Sequence, residues 1–422
     1  MKFLEKIKNS KEYFLFLGYI GVCYLSAIIF TFQRSNLGIV LLIIGALPFL
    51  KGYRLDKNQK LMLAFFLLVP LFQYFNLDER EMVFKELRKL YKFFPIFLTP
   101  LFLNTTEKIK GIFIVVTISI LFNCGKIFLY LKSVNFKLAG YTYDGLANLG
   151  YTSHTMAGLS FVALGLVLYF WLKKKNILLV ISSVVYLIII YFVILGQRRG
   201  AYLAILIPLI AILIININKK ILLYGILIGI LGLGIVSKTD YLKNNVYYKR
   251  FVSIKNVKES SPAIRLILWK ASIEMYKKNP IVGYSEEGIR QGYLNYIEKN
   301  EKELSKILPS LEGIKKIAYD RNPHNMYMRS LVDMGILGIY FIGLIFYFLY
   351  ENLRLIFLLK KEKNIEYIML LSSFGIVLSF AVISLTESVW ETHNMREGLL
   401  FGIIIYFSLR RIIKNKFEGE KW

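Results

Sequence analysis

His324 and Asn325 lie in the run Arg321-Asn-Pro-His-Asn-Met-Tyr-Met-Arg-Ser-Leu-Val-Asp-Met-Gly-Ile-Leu-Gly338, where a long polar stretch meets a hydrophobic span. Imidazole is the side chain best suited to move a proton near neutral pH, and His324 is one of three histidines in the chain. Asn325 and Tyr327 add hydrogen-bonding groups that can orient a sugar or the imidazole ring. The competing reading of the same residues is a histidine that caps a helix start.

Further polar groups accompany it. Gly196-Gln197-Arg198-Arg199-Gly200 places two arginines at a tight turn between spans. A guanidinium at mid-bilayer costs about 2.5–3.5 kcal/mol and less at the edge, so the pair either reaches outward to headgroups or meets an anionic partner. The flanking glycines permit a close backbone approach. Arg265 stands in the first turn of a helix, where free N–H groups and the positive dipole end make a phosphate-sized anion site; a surface ion pair, for instance with Glu259, is the alternative. Trp269, four residues on, shares its face. The last loop, Glu387-Ser-Val-Trp390-Glu-Thr-His-Asn394, sets carboxylates beside an indole, a combination that suits sugar binding or a solvated interfacial turn. His154, at the start of another span, is similarly open.

The elements that must position these groups are membrane spans. Of 422 residues, 56% are hydrophobic and 15% aromatic, and the mean hydropathy is +0.52, the composition of a chain whose solvent is the bilayer. About twelve apolar runs are expected, near 13–33, 36–50, 60–76, 84–103, 109–130, 154–172, 175–196, 200–216, 219–237, 331–351, 365–386 and 397–412. The first is read as a retained anchor. The net charge of +26 is scattered through short loops rather than gathered on one soluble face, so it reports topology and not nucleic-acid binding.

With a cytoplasmic N-terminus, the basic loops 51–60, 173–175, 217–220 and 352–364 and the tail from Arg410 lie inside. The candidate groups then share the outer side. Lys85, Arg88, Lys89 and Lys92 run against this pattern, and are read either as an interfacial helix reaching for headgroups or as a lipid-phosphate contact.

Three regions follow: spans one to nine over 1–237, an extramembrane loop over 238–325, and spans ten to twelve with a short tail over 326–422. In the loop, Ser261-Pro262 starts a helix that Asn279-Pro280 ends. Its residues Ile264, Leu268, Ala271 and Met275 form an apolar face expected to pack on the membrane domain. A second helix is expected over 286–299, after the turn Val282-Gly-Tyr-Ser285, which makes the loop a folded cap. Cys23 and Cys124 fall inside spans, and neither a metal-ligand motif nor a Walker phosphate loop is present in the sequence.

Gln197-Arg198-Arg199-Gly200-Ala201, Arg265-Leu-Ile-Leu-Trp269 with Asn279-Pro-Ile-Val-Gly283, and His324-Asn325-Met-Tyr327 through Gly335 and Gly338 occur in an order that resembles the O-antigen ligase family. The resemblance implies an all-α polytopic membrane protein of about twelve transmembrane helices with a helical periplasmic cap loop, similar to multi-span glycosyltransferases of the GT-C type. It implies an inner-membrane enzyme with an undecaprenyl diphosphate-linked glycan as donor and lipid A core, or a growing glycan, as acceptor, working without metal or nucleotide cofactor. Arg199 and Arg265 would hold the diphosphate and His324 would act on the acceptor hydroxyl. Where the family commonly has Ser before the key arginine, this chain has Arg198. A repeat polymerase with the same donor is the near alternative; a transporter or lipid flippase and an envelope scaffold are the readings of other classes.

Overall fold

The computed structural model describes residues 11–29, 36–75, 90–133, 152–196, 198–216, 260–306, 311–319, 323–390 and 392–416, and the regular elements among them are all helices. In chain order the helices are α1 (Lys11–Ala27), α2 (Asn36–Ala46), α3 (Lys57–Phe75), α4 (Phe94–Phe102), α5 (Thr106–Ser133), α6 (Thr152–Leu172), α7 (Asn176–Leu195) and α8 (Arg199–Asn216). After these come α9 (Ser260–Lys278), α10 (Glu286–Lys299), α11 (Glu301–Leu304), α12 (Glu312–Tyr319), α13 (Met326–Met334), α14 (Ile336–Leu359), α15 (Ile365–Ile383) and α16 (His393–Lys416).

Six of these, α5, α6, α7, α8, α14 and α15, are long and apolar enough to cross a membrane, or seven if a bent pair is counted as one span. The departures from the expected twelve have local causes. The runs at 36–50 and 60–76 form that bent pair, two helical pieces set 119° apart around a short break. The run at 84–103 yields in its described part only the nine-residue α4, which has a proline at its start and Pro100 inside; at about 1.5 Å per residue it covers less than half of a hydrocarbon core about 30 Å thick. The run at 331–351 is broken at Gly335, so the crossing helix begins at Ile336. α16 is long enough, but Arg396, Glu397, Arg410 and Arg411 load its two ends with charge. The run at 219–237 lies outside the described residues.

Short links make sequential helices antiparallel. Lys173–Lys175 join α6 to α7 and residues 360–364 join α14 to α15, so one end of the bundle collects lysines, together with Arg410 and Arg411 near the end of α16. Arg410 bonds Asp56 through Nε (3.1 Å) and Glu351 through an Nη (2.7 Å), which clamps the starts and ends of α3, α14 and α16 together at this basic end. The opposite end gathers the starts of α6, α8 and α16 and the ends of α7 and α15. α15 is the most enclosed of the six apolar spans, and a single apolar core runs through the bundle.

Helices α9 to α12 pack around a second core made of Leu268, Ala271, Met275, Ile289, Tyr293 and Ile314. The apolar face expected to lie against the membrane domain is therefore turned into this unit instead. Tyr293 accounts for the change, because it is fully buried and its hydroxyl shares a 2.8 Å hydrogen bond with Ser272 of α9. The unit is pinned to the bundle where α13 meets α14. Tyr284 N–H donates to Val332 O (2.9 Å) and Ile336 N–H to Ile281 O (3.2 Å). Gly283 and Gly335 both adopt positive φ there, +81° and +55°, and a Cβ on either would fall within 2.6 Å of the facing backbone.

Candidate active site

Glu387 is the centre of the site. It lies just beyond α15, on a turn wound tightly enough for the N–H groups of Thr386 and Glu387 both to reach Ile383 O at 2.9 Å. This turn lifts the carboxylate off the end of the span while leaving its side chain only 6% exposed. A carboxylate buried to that degree needs cations or donors beside it. His324 supplies one, with Nδ1 3.2 Å from Oε2, and Arg265 a second, with a terminal nitrogen 3.6 Å from Oε1.

Three ties bring His324 to this position. Met326 N–H donates to Ser384 O (2.8 Å) and Asn325 Nδ2 to Leu385 O (3.3 Å), which fastens the residues after His324 to the end of α15. On its other side, Trp269 Nε1 donates to Pro323 O at 3.0 Å. Trp269 is one turn along α9 from Arg265, so a single helix face presents both the cation for Glu387 and the anchor of the histidine loop. Held from both directions, His324 adopts φ +49°, a left-handed conformation that non-glycine residues enter at a cost of about 1–3 kcal/mol and keep only when their surroundings fix it.

The protonation pattern follows from the charges. Burial pushes the Glu387 carboxyl up, but the hydrogen bond from His324 and the charges of His154 and Arg265 outweigh it and bring the group below the ordinary carboxylate value. An ionised Glu387 accepts, so Nδ1 of His324 carries the proton it shares.

The remaining candidates take several positions. Gly200 comes so close to the site that a Cβ there would stand 2.5 Å from Thr386 Oγ1 and 3.0 Å from His154 Nε2. The close approach expected of this glycine is thus onto the residue beside Glu387. Arg198 caps α8 through its carbonyl, which accepts from Ala201 (3.1 Å) and Tyr202 (3.2 Å), and Arg199 opens the helix; both side chains are partly buried at this end. His154 is buried, and its charge acts on Glu387. Asn325 caps α13 by accepting from Met328 N–H (3.1 Å). Tyr327 turns away to donate to Ala381 O (2.7 Å), and burial pushes its phenol up to about 12, so it stays a neutral donor.

Trp390 belongs to an aromatic cluster. Phe93 stacks 5.8 Å from its ring, and Phe341 meets it edge-on at 5.0 Å. These contacts hold the indole in place, and it remains partly exposed. Glu387, read from the sequence as a sugar-binding carboxylate or part of a solvated turn, is the partner of His324 and Arg265. The readable signal was a carboxylate placed immediately after an apolar span, which buries it and demands a cation. Thr386 and Pro323 carried no comparable signal, since one contributes through its proximity to Gly200 and the other through a main-chain carbonyl.

Residues 184–343 match the family model described as O-antigen ligase. The matched stretch contains Arg198, Arg199, Arg265, Trp269, His324, Asn325 and Tyr327, whereas His154, Glu387 and Trp390 fall outside it. No curated protein matches the chain.

Proposed function

Because residues 184–343 carry an O-antigen ligase family domain within a multi-helix membrane protein, we propose that the chain is a glycosyltransferase that moves a glycan from a lipid diphosphate to an acceptor hydroxyl, with His324 as general base. The observation that carries this reading is the 3.2 Å contact between His324 Nδ1 and an ionised, buried Glu387. In this reading the carboxylate keeps the shared proton on Nδ1 without taking it, and Nε2 is the nitrogen assigned to accept the proton of the acceptor hydroxyl.

The reaction balances without a covalent enzyme intermediate. The acceptor oxygen bonds to the anomeric carbon as its proton passes to Nε2 of His324. On the opposite face of that carbon, the bond to the diphosphate oxygen breaks and the lipid diphosphate leaves with the electron pair, which inverts the centre. Arg265 and Arg199 are the guanidinium groups assigned to the departing charge. Arg265 touches Glu387 through one terminal nitrogen at 3.6 Å, longer than a hydrogen bond, and the guanidinium's planar fork offers further donors. The positive charge of the lysine-rich end supports a cytoplasmic position for it, and with that a site on the outer face of a bacterial inner membrane.

The donor is proposed to be an undecaprenyl diphosphate-linked polysaccharide and the acceptor lipid A core. A glycolipid gel of a deletion strain tests this, with lipid A-linked and undecaprenyl-linked fractions run separately. Long chains lost from lipid A and accumulated on undecaprenyl diphosphate are expected; single repeats left on lipid A would assign repeat polymerisation instead. In purified protein, His324→Ala should abolish transfer while the protein remains folded, and full activity in that variant would overturn the mechanism.

A further inference from the structure

A cavity separate from the His324–Glu387 pair opens between α1, α2, α4 and α16. Its volume is about 870 Å³, counting the space open at its mouth, and its walls include Val22, Ile29, Ile39, Ile96, Leu400 and Ile404, with Ser26 and Thr99 as uncharged polar groups. Three charged residues, Lys92, Arg396 and Glu397, also line it, and all belong to one end. That end is the site end, because α16 starts there directly after the Trp390 loop.

Two features mark this cavity off from ordinary contact with bilayer chains. A second groove, between α5 and α7, shows the contrast: it is lined by residues such as Leu121, Phe128, Val184 and Leu187 and by no charged group. In the α1–α16 cavity, by comparison, the apolar wall formed by α16 between Arg396 and Ile404 is about 12 Å long at 1.5 Å per residue, close to the depth of one leaflet of a hydrocarbon core about 30 Å thick. A charged mouth above an apolar shaft of leaflet depth has the shape of a single lipid chain with its headgroup.

The charge selects the headgroup. Arg396 is 3.6 Å from Glu397, and Lys92 lines the same mouth, so among the described lining residues two cations accompany one carboxyl group. An anionic phosphodiester headgroup complements a mouth where cations outnumber the carboxyl, whereas a zwitterionic headgroup cancels its own charge. We propose that this cavity binds an anionic glycerophospholipid of the phosphatidylglycerol type, one chain along α16 and its phosphodiester between Lys92 and Arg396. This also accounts for Lys92, a basic residue on what the charge pattern makes the outer side. The neighbouring residue Phe93 stacks on Trp390, which leads to the Glu387 loop, so an occupied cavity braces the wall behind the site. The inference is independent of the reaction proposed above.

Native mass spectrometry of the full chain in micelles doped with equal phosphatidylglycerol and phosphatidylcholine tests it. Retention of one phosphatidylglycerol is expected, with no corresponding phosphatidylcholine adduct, and Lys92→Glu should lower the retained fraction roughly tenfold or more. Lys92→Arg should retain it, which separates loss of the charge from loss of the fold. Equal retention of both lipids, or undiminished phosphatidylglycerol in Lys92→Glu, would overturn the assignment. So would displacement of the lipid by a polyprenyl diphosphate, which would make the cavity part of the donor path.

Discussion

Replacing Glu387 by Gln keeps the shape of the side chain and removes its charge. The ties that hold His324 use main-chain groups, Asn325 and Trp269, so they survive the change. The charge-assisted bond to Nδ1 does not. Hydrogen bonds to charged groups contribute about 1.5–3 kcal/mol, and this one matters most when His324 has accepted the acceptor's proton and become imidazolium. With about 1.36 kcal/mol per factor of ten, kcat should fall about 10- to 150-fold. Arg265 loses its carboxylate neighbour at the same time, so the KM for the diphosphate donor should stay level or drop. The assay is release of lipid diphosphate from a lipid-linked glycan by purified protein in the presence of acceptor, with kcat and KM measured separately. A kcat within twofold of the parent, or a loss confined to KM, would refute the assignment of Glu387 as the group that orients and charges the base.

Other perturbations follow from the same geometry. Gly200→Ala should impair transfer by driving a methyl into Thr386 and His154, and Gly200→Ala combined with Thr386→Ala should recover activity, because the nearest obstruction is the Thr386 hydroxyl at 2.5 Å; an inactive double variant would place the fault elsewhere. Gly335→Ala should lower stability in detergent by about 1–3 kcal/mol, since its φ of +55° suits glycine and its Cβ would sit 2.4 Å from Ile281 O; an unchanged melting temperature would count against the pinned junction. Glu387 titrates below its ordinary value of 4.5 in the folded protein, so the stability it contributes is complete above that value and is lost as pH falls through the lower, folded one. The stability margin of the parent over Glu387→Gln should therefore shrink as the buffer is taken below pH 4.5; a margin that grows there would contradict this.

Much of the architecture was legible from local chemistry. Hydrophobic runs of spanning length identified the six apolar crossing helices, because burial of backbone in lipid leaves the helix as the way to satisfy every main-chain group. Turn and cap residues located α9 and α10 almost to the residue, since Ser before Pro and Asn before Pro act within one helical turn. Arg265, Trp269 and His324 could be singled out because a guanidinium, an indole and an imidazole at such positions each require a partner. The partners themselves depend on contacts far apart in sequence. Glu387 meets His324 across 63 positions, and Trp269 meets Pro323 across 54. Local preference carries no information about such pairings, and the left-handed backbone of His324 exists only because those ties hold it. The inward turn of the α9 apolar face was likewise set by what that segment packs against. Hydropathy says that a segment must be buried; the tertiary structure decides beside what.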